Sequence, residues 1–128
     1  MNLFVLGLNH ETAPIALRER VAFSASELRD AVMSLRTATQ LEEAVILSTC
    51  NRTEIICTGG IDDKEAITRW LAQDRHCDLS ALTPSIYHHA QTDAVSHLIR
   101  VSVGLDSMII GEPQIFGQMK DAFLTSSD

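Results

Sequence analysis

The stretch Ser48-Thr49-Cys50-Asn51-Arg52-Thr53-Glu54 sets one thiol at the point where an apolar run breaks into polar residues. Ala44-Val45-Ile46-Leu47 precedes it and Ile55-Ile56-Cys57 follows, so it reads as a hairpin tip or the crest between two strands. A cysteine there is open to reagents. The thiolate is the reactive form, and a guanidinium two residues on, with the backbone N–H groups of a turn, would stabilise that anion. This is how a nucleophile is built. Spacing alone leaves Cys50 evenly divided between that role and the small packed residue that most free cysteines are. Cys57, inside the second strand, and Cys77, among charged residues without a motif, read as packing residues.

Three motifs occur in order along the chain. They are Gly7-Leu8-Asn9-His10-Glu11-Thr12-Ala13-Pro14 with Leu17-Arg18-Glu19-Arg20, then the cysteine stretch, then Gly104-Leu105-Asp106-Ser107-Met108-Ile109-Ile110-Gly111-Glu112-Pro113-Gln114-Ile115. Together they resemble glutamyl-tRNA reductase from Leu3 to about Phe123, and specifically its N-terminal catalytic domain. The family's NADPH-binding and dimerisation domains have no counterpart in these residues, so the chain reads as a fragment, with 1–125 the catalytic domain and 126–128 the start of a linker or a cut end.

The resemblance implies a chemistry. A cysteine thiolate attacks the ester carbon joining glutamate to the 3′ end of tRNA, tRNA leaves, and hydride from NADPH reduces the resulting thioester to glutamate-1-semialdehyde, the precursor of 5-aminolevulinate, tetrapyrroles and haem. A thiol suits this because it attacks well near neutral pH and its thioester is electrophilic. By resemblance the catalytic residues are Cys50 and His97, the histidine acting by proton transfer or polarisation. The substrate site comprises Thr49, Cys50, Asn51, Arg52, Ser107, Glu112, Pro113, Gln114 and Gln118, with Arg52 offering a planar fork to the substrate carboxylate. The implied substrate is glutamyl-tRNA(Glu), and the implied cofactor, NADPH, sits on the missing domain. The implied partners are a second copy, joined through the absent C-terminal domain, glutamate-1-semialdehyde aminomutase as a channelling partner, and a haem-linked regulator. Two other classes use the same residues: a thiol-dependent esterase with water in place of hydride, and a non-catalytic module docking a regulator or haem.

Composition fits one domain. The 128 residues, 45% of them hydrophobic, can bury one core. Three cysteines without framework spacing suit a reducing compartment, and no signal peptide or run of about 18 apolar residues is present, which predicts a cytoplasmic location without a membrane. A net charge of −7 argues against broad attraction to a polyanion. That agrees with a tRNA substrate if this domain holds mainly the aminoacyl end. Arg18, Arg20 and Arg52 could still meet phosphate or carboxylate, although exposed arginines usually form a solvated surface.

The elements that must position these groups follow an α+β order. Leu3–Leu8 predicts a central strand broken by Thr12-Ala13-Pro14. Ser24 and Glu27 form a capping box for a helix carrying Leu28, Ala31, Val32 and Leu35 to near Thr37. Strands follow at 44–49 and 53–58, stopped by Gly59-Gly60; Asp62 or Asp63 caps a helix with Ala66, Ile67, Trp70 and Leu71 on one face, Trp70 belonging to the core. Pro84 precedes a strand at 86–89, Thr92 caps a helix to about Val103, and a last helix spans 117–124. The order predicts a ferredoxin-like split βαβ fold, β-α-β-β-α-β with an antiparallel sheet, followed by C-terminal helices. By pattern His97 is a packing histidine beside the face of positions 94, 98, 101 and 105; the resemblance makes it the active-site histidine. His88 and His89 alternate, so only one faces inward. No CxxC or HxxxH spacing supports a metal, and Gly111-Glu112-Pro113-Gln114 lacks the GxGxxG and GK[ST] patterns of phosphate loops.

Overall fold

The computed structural model describes residues 2–59 and 64–106. The cap at Asp62 or Asp63, the helix at 117–124, and Ser107, Glu112, Pro113, Gln114 and Gln118 lie outside the described residues.

Four strands, β1 (Asn2–Asn9), β2 (Glu43–Ser48), β3 (Arg52–Gly59) and β4 (Tyr87–Ala90), form one sheet in the order β2-β3-β1-β4. Every neighbouring pair is antiparallel. Strand β3 therefore lies between β1 and β2, which run parallel to each other. The α+β class and the antiparallel sheet are as the pattern predicts. Each crossover is richer than predicted. Helices α1 (Ile15–Val21) and α2 (Ala25–Thr39) join β1 to β2, whereas α3 (Lys64–Asp74), α4 (Leu79–Leu82) and a 3₁₀ turn (Thr83–Ser85) join β3 to β4. Helix α1 starts at Pro14, whose carbonyl accepts from the N–H groups of Leu17 and Arg18 (both 3.1 Å), and fully buries only Val21. So short an element carries too little periodicity to be read. The single turn of α4 is hidden in the same way.

Helix α5 (Thr92–Asp106) packs on the other face. Thr92 is its first residue and not its cap: Gln91, at φ 56°, turns the chain and accepts from Val95 N–H at 3.1 Å. Phe4, Leu6 and Leu8 point into the main core with Ile46, Ile55, Leu35, Ile67 and Leu71. The alternate residues Leu3 and Val5 pack with Ile56, Ala94 and Leu98 beneath α5. The unbroken apolar run of β1 is thus explained by helices on both faces.

The helical layer is held to itself by charge. Glu27 accepts from Ser24 N–H (3.2 Å) and Oγ (2.7 Å), completing the capping box that starts α2. Arg75, just after α3, pairs with Glu27 at 2.8 Å, donates to the Ala22 carbonyl at 3.0 Å and lies 4.0 Å over the Phe23 ring, which stacks on the buried Trp70. The Ser24 hydroxyl, and after it Arg75, hold the Glu27 carboxyl down to about 2 from 4.5. A carboxylate with a depressed folded pKa stabilises fully above its unfolded value and loses that contribution as pH falls through the folded one. Thermal denaturation from pH 5 downwards should therefore show stability draining between about 4.5 and about 2, and Glu27→Gln should flatten that slope; a variant with an unchanged slope would show that the pair contributes nothing.

Candidate active site

Cys50 lies at the crest of the β2–β3 hairpin and is exposed, while Cys57 is buried and Cys77 intermediate, its thiol pushed up by burial. The turn is a side-chain device. Thr49 N–H donates to the Arg52 carbonyl at 2.8 Å, and Thr49 Oγ1 accepts from the N–H groups of Asn51 (3.1 Å) and Arg52 (3.2 Å). The Thr49 hydroxyl oxygen is thus spent on shaping the loop. Neither Cys50 nor Asn51 has a positive φ, so a threonine does here what a glycine does in tighter hairpins.

Beneath the turn, on the α5 face, sits Glu54, fully buried. Its Oε1 accepts from Arg52 Nη1 (2.8 Å), from His97 Nε2 (2.8 Å) and, in a short hydrogen bond, from the Tyr87 hydroxyl. The donors come from β3, α5 and β4. Burial pushes the Glu54 carboxyl up, but the bonds from His97, Tyr87 and Arg52 outweigh it and leave the pKa below the usual value. An ionised carboxylate only accepts, so His97 carries its proton on Nε2 and leaves Nδ1 free for other chemistry. Burial and the adjoining carboxylate push the Tyr87 phenol up, which keeps its hydroxyl a donor.

Gly7 lets the backbone and the side-chain stem of Glu54 come close. It stands opposite Glu54 on one side and Tyr87 on the other. A Cβ at Gly7 would fall 2.5 Å from the Thr53 carbonyl oxygen and 2.9 Å from Glu54 Cα. Below this row, His89 stacks on His97 with centroids 4.5 Å apart, whereas His88 turns to the opposite face near Phe4. Burial, then the charges of His97 and Arg100, push the His89 imidazole down.

Asn9, Thr12, Arg52, Tyr87, His97 and Arg100 line a cavity of about 390 Å³ beside the cluster. The structure brings Arg52 and His97 together on one wall; Cys50 stands at the rim of the sheet, and among the described residues no hydrogen bond joins it to His97. Sequence reading gave Glu54, Tyr87 and Arg100 no role. Glu54 alone carried a signal, a charge beside the apolar residues 55–57 of the strand expected at 53–58. Among the described residues no group of His, Cys, Asp or Glu is arranged to hold a metal ion, and no helix is long and apolar enough to cross a membrane. Gly7 lies in mid-strand with its Cβ space filled by backbone, so it forms no part of a phosphate-cradling turn.

Fold and site together define an α+β domain that presents an exposed thiol on a hairpin turn beside a buried glutamate–arginine–histidine cluster. The profile of the family described as "Glutamyl-tRNAGlu reductase, N-terminal domain" matches residues 6–128, and the chain belongs to that family. It is 52% identical over 128 residues to the glutamyl-tRNA reductase of Stenotrophomonas maltophilia and 50% identical over 123 residues to that of Marinobacter nauticus. These alignments take in 100% and 96% of this chain, and 29% of either relative. The solved glutamyl-tRNA reductase from Methanopyrus kandleri superposes on 94% of the chain and 27% of its own, with a TM-score of 0.58 and 30% identity. The chain thus spans under a third of the relatives it matches.

The Glu54 carboxylate is what holds Arg52 and His97 in place. Glu54→Gln keeps the shape but removes the charge from three donors, and breaking a buried pair in this way costs about 3 kcal/mol. Urea denaturation should show that loss; near-native stability would mean that the donors find other partners.

Proposed function

We propose that this chain is the catalytic domain of a glutamyl-tRNA reductase, in which the Cys50 thiolate takes glutamate from glutamyl-tRNA. The observation that carries the reading is the exposed Cys50 on its threonine-shaped turn, two residues from Arg52, in a chain of this family. The cysteine sulfur forms a bond to the ester carbon, the C–O bond breaks with its electron pair on the ribose oxygen, and that oxygen takes a proton. His97, fixed through Nε2, has Nδ1 for this proton traffic. Arg52 has donors left beyond the one given to Glu54, and these suit the side-chain carboxylate of the substrate. Thr49 and Asn51 shape the loop, and Ser107, Glu112, Pro113, Gln114 and Gln118 complete the pocket in this reading.

The NADPH that the reading requires binds outside the described residues, and the steps served by these side chains end at the thioester. Reduction to glutamate-1-semialdehyde in the cytoplasm, dimerisation, hand-over to an aminomutase and haem-linked control belong to the whole protein in the same reading.

In the full-length protein, iodoacetamide near neutral pH should modify Cys50 before Cys57 or Cys77, and Cys50→Ser should abolish transfer of labelled glutamate from tRNA to protein. Equal labelling of the three thiols, or a serine variant that still captures glutamate, would refute the reading. Arg52→Lys keeps one charge but cannot serve Glu54 and a carboxylate in two parallel bonds, so kcat/KM should fall by about 10²-fold. Near-native kinetics would confine Arg52 to a structural role.

A further inference from the structure

Arg18 lies on α1, in the helical layer opposite the cavity, yet its Nη1 donates to the carbonyl oxygen of Cys50 at 3.2 Å. Its Nε is buried without a hydrogen-bond partner, and no carboxylate pairs with it among the described residues. The other clamping arginines are spent differently. Arg20, on the same helix, gives Nε and Nη2 to the His76 carbonyl (3.1 and 2.6 Å), and Arg75 serves two carboxylates and a carbonyl. A partly buried guanidinium with an orphaned donor costs stability that one bond to a neutral carbonyl does not recover. What that bond fixes is the peptide that follows the exposed thiol.

We propose that Arg18 is a positioning residue for Cys50. The inference rests on Cys50 being the nucleophile. The turn has three supports: the Thr49 N–H closes it on the Arg52 carbonyl, Thr49 Oγ1 gathers the N–H groups of Asn51 and Arg52 from within the loop, and Arg18 holds the Cys50 carbonyl from the neighbouring helix. The helix is itself pinned to the hairpin, because Phe23 N–H, two residues past α1, donates to Ser48 Oγ at 2.9 Å. With Thr49 alone, the Cys50 peptide is free to tilt, and a thiol displaced by about 1 Å from its line of attack loses on the order of 10²-fold in rate.

The test compares Arg18→Met, Arg18→Lys and Arg20→Met in the full-length protein, reading kcat and KM for glutamyl-tRNA, iodoacetamide labelling of Cys50, and urea stability. Arg18→Met should lower kcat by about 10²-fold with KM little changed, and Arg18→Lys should recover part of the loss, because an ammonium can still donate to the Cys50 carbonyl. Arg20→Met removes a clamp from the same helix and should lower stability while sparing kcat and labelling. If Arg18→Met does not fold, Arg18→Gln carries the same expectation. A native kcat in the Met or Gln variant overturns the proposal, as does a raised KM with kcat intact, or an equal loss of kcat in Arg20→Met. An active Cys50→Ser variant would instead sink the nucleophile reading, whatever Arg18 does.

Discussion

A buried carboxylate with three donors on one oxygen is the constraint from which the site follows. Glu54 reaches across the sheet to β4 through Tyr87 and out of it to α5 through His97, and along its own strand to Arg52. A lone ionised carboxyl in such a place is expensive, and it stays ionised only because the donors converge. The arrangement also fixes what the donors can do. His97 has one nitrogen committed, Arg52 one arm committed, and the cavity receives what remains of each.

Such a carboxylate needs space, which a packed sheet does not give freely. Gly7, the position of β1 that stands between Glu54 and Tyr87, provides it by letting the Thr53–Glu54 backbone and the Glu54 stem occupy the space that a Cβ would take. Two positions along, Val5 fills the equivalent place between Ile56 and His89 and continues the apolar layer under α5. One strand therefore serves as core at one end and as site floor at the other. The glycine works here by its lack of a Cβ and not by backbone freedom, since its φ is not positive.

How much of this was legible depended on periodicity. The strands, α2, α3 and α5 announce themselves through apolar runs or helical spacing, and their observed limits fall within a few residues of those expected. Helices α1 and α4 are too short for a pattern and owe their form to packing on the sheet. The turn around Cys50 was legible because polar residues interrupt two apolar runs. The Glu54 cluster was not, because its members are far apart in sequence and only the strand register brings Gly7, Glu54 and Tyr87 into one row. His97 came from family resemblance; its own neighbourhood in sequence argues for packing, and it is indeed buried, held by the carboxylate.

The overall charge and the local charge point to different things. A net −7 repels a polyanion at long range, but the cavity wall carries Arg52 and Arg100 with two histidines and a single acidic side chain, Glu11. Screening confines surface fields to about 10 Å at ordinary ionic strength, so the approaching ligand responds to the wall once it is close. Glu54 beneath the wall takes one arm of Arg52, so what faces the cavity is Arg100 and the uncommitted donors of Arg52, which suit a small anionic group presented at the end of a larger molecule and need no extended basic face around them. In the proposed reading the glutamyl group is that anion, and the attraction for the rest of the RNA has to come from surfaces other than this domain.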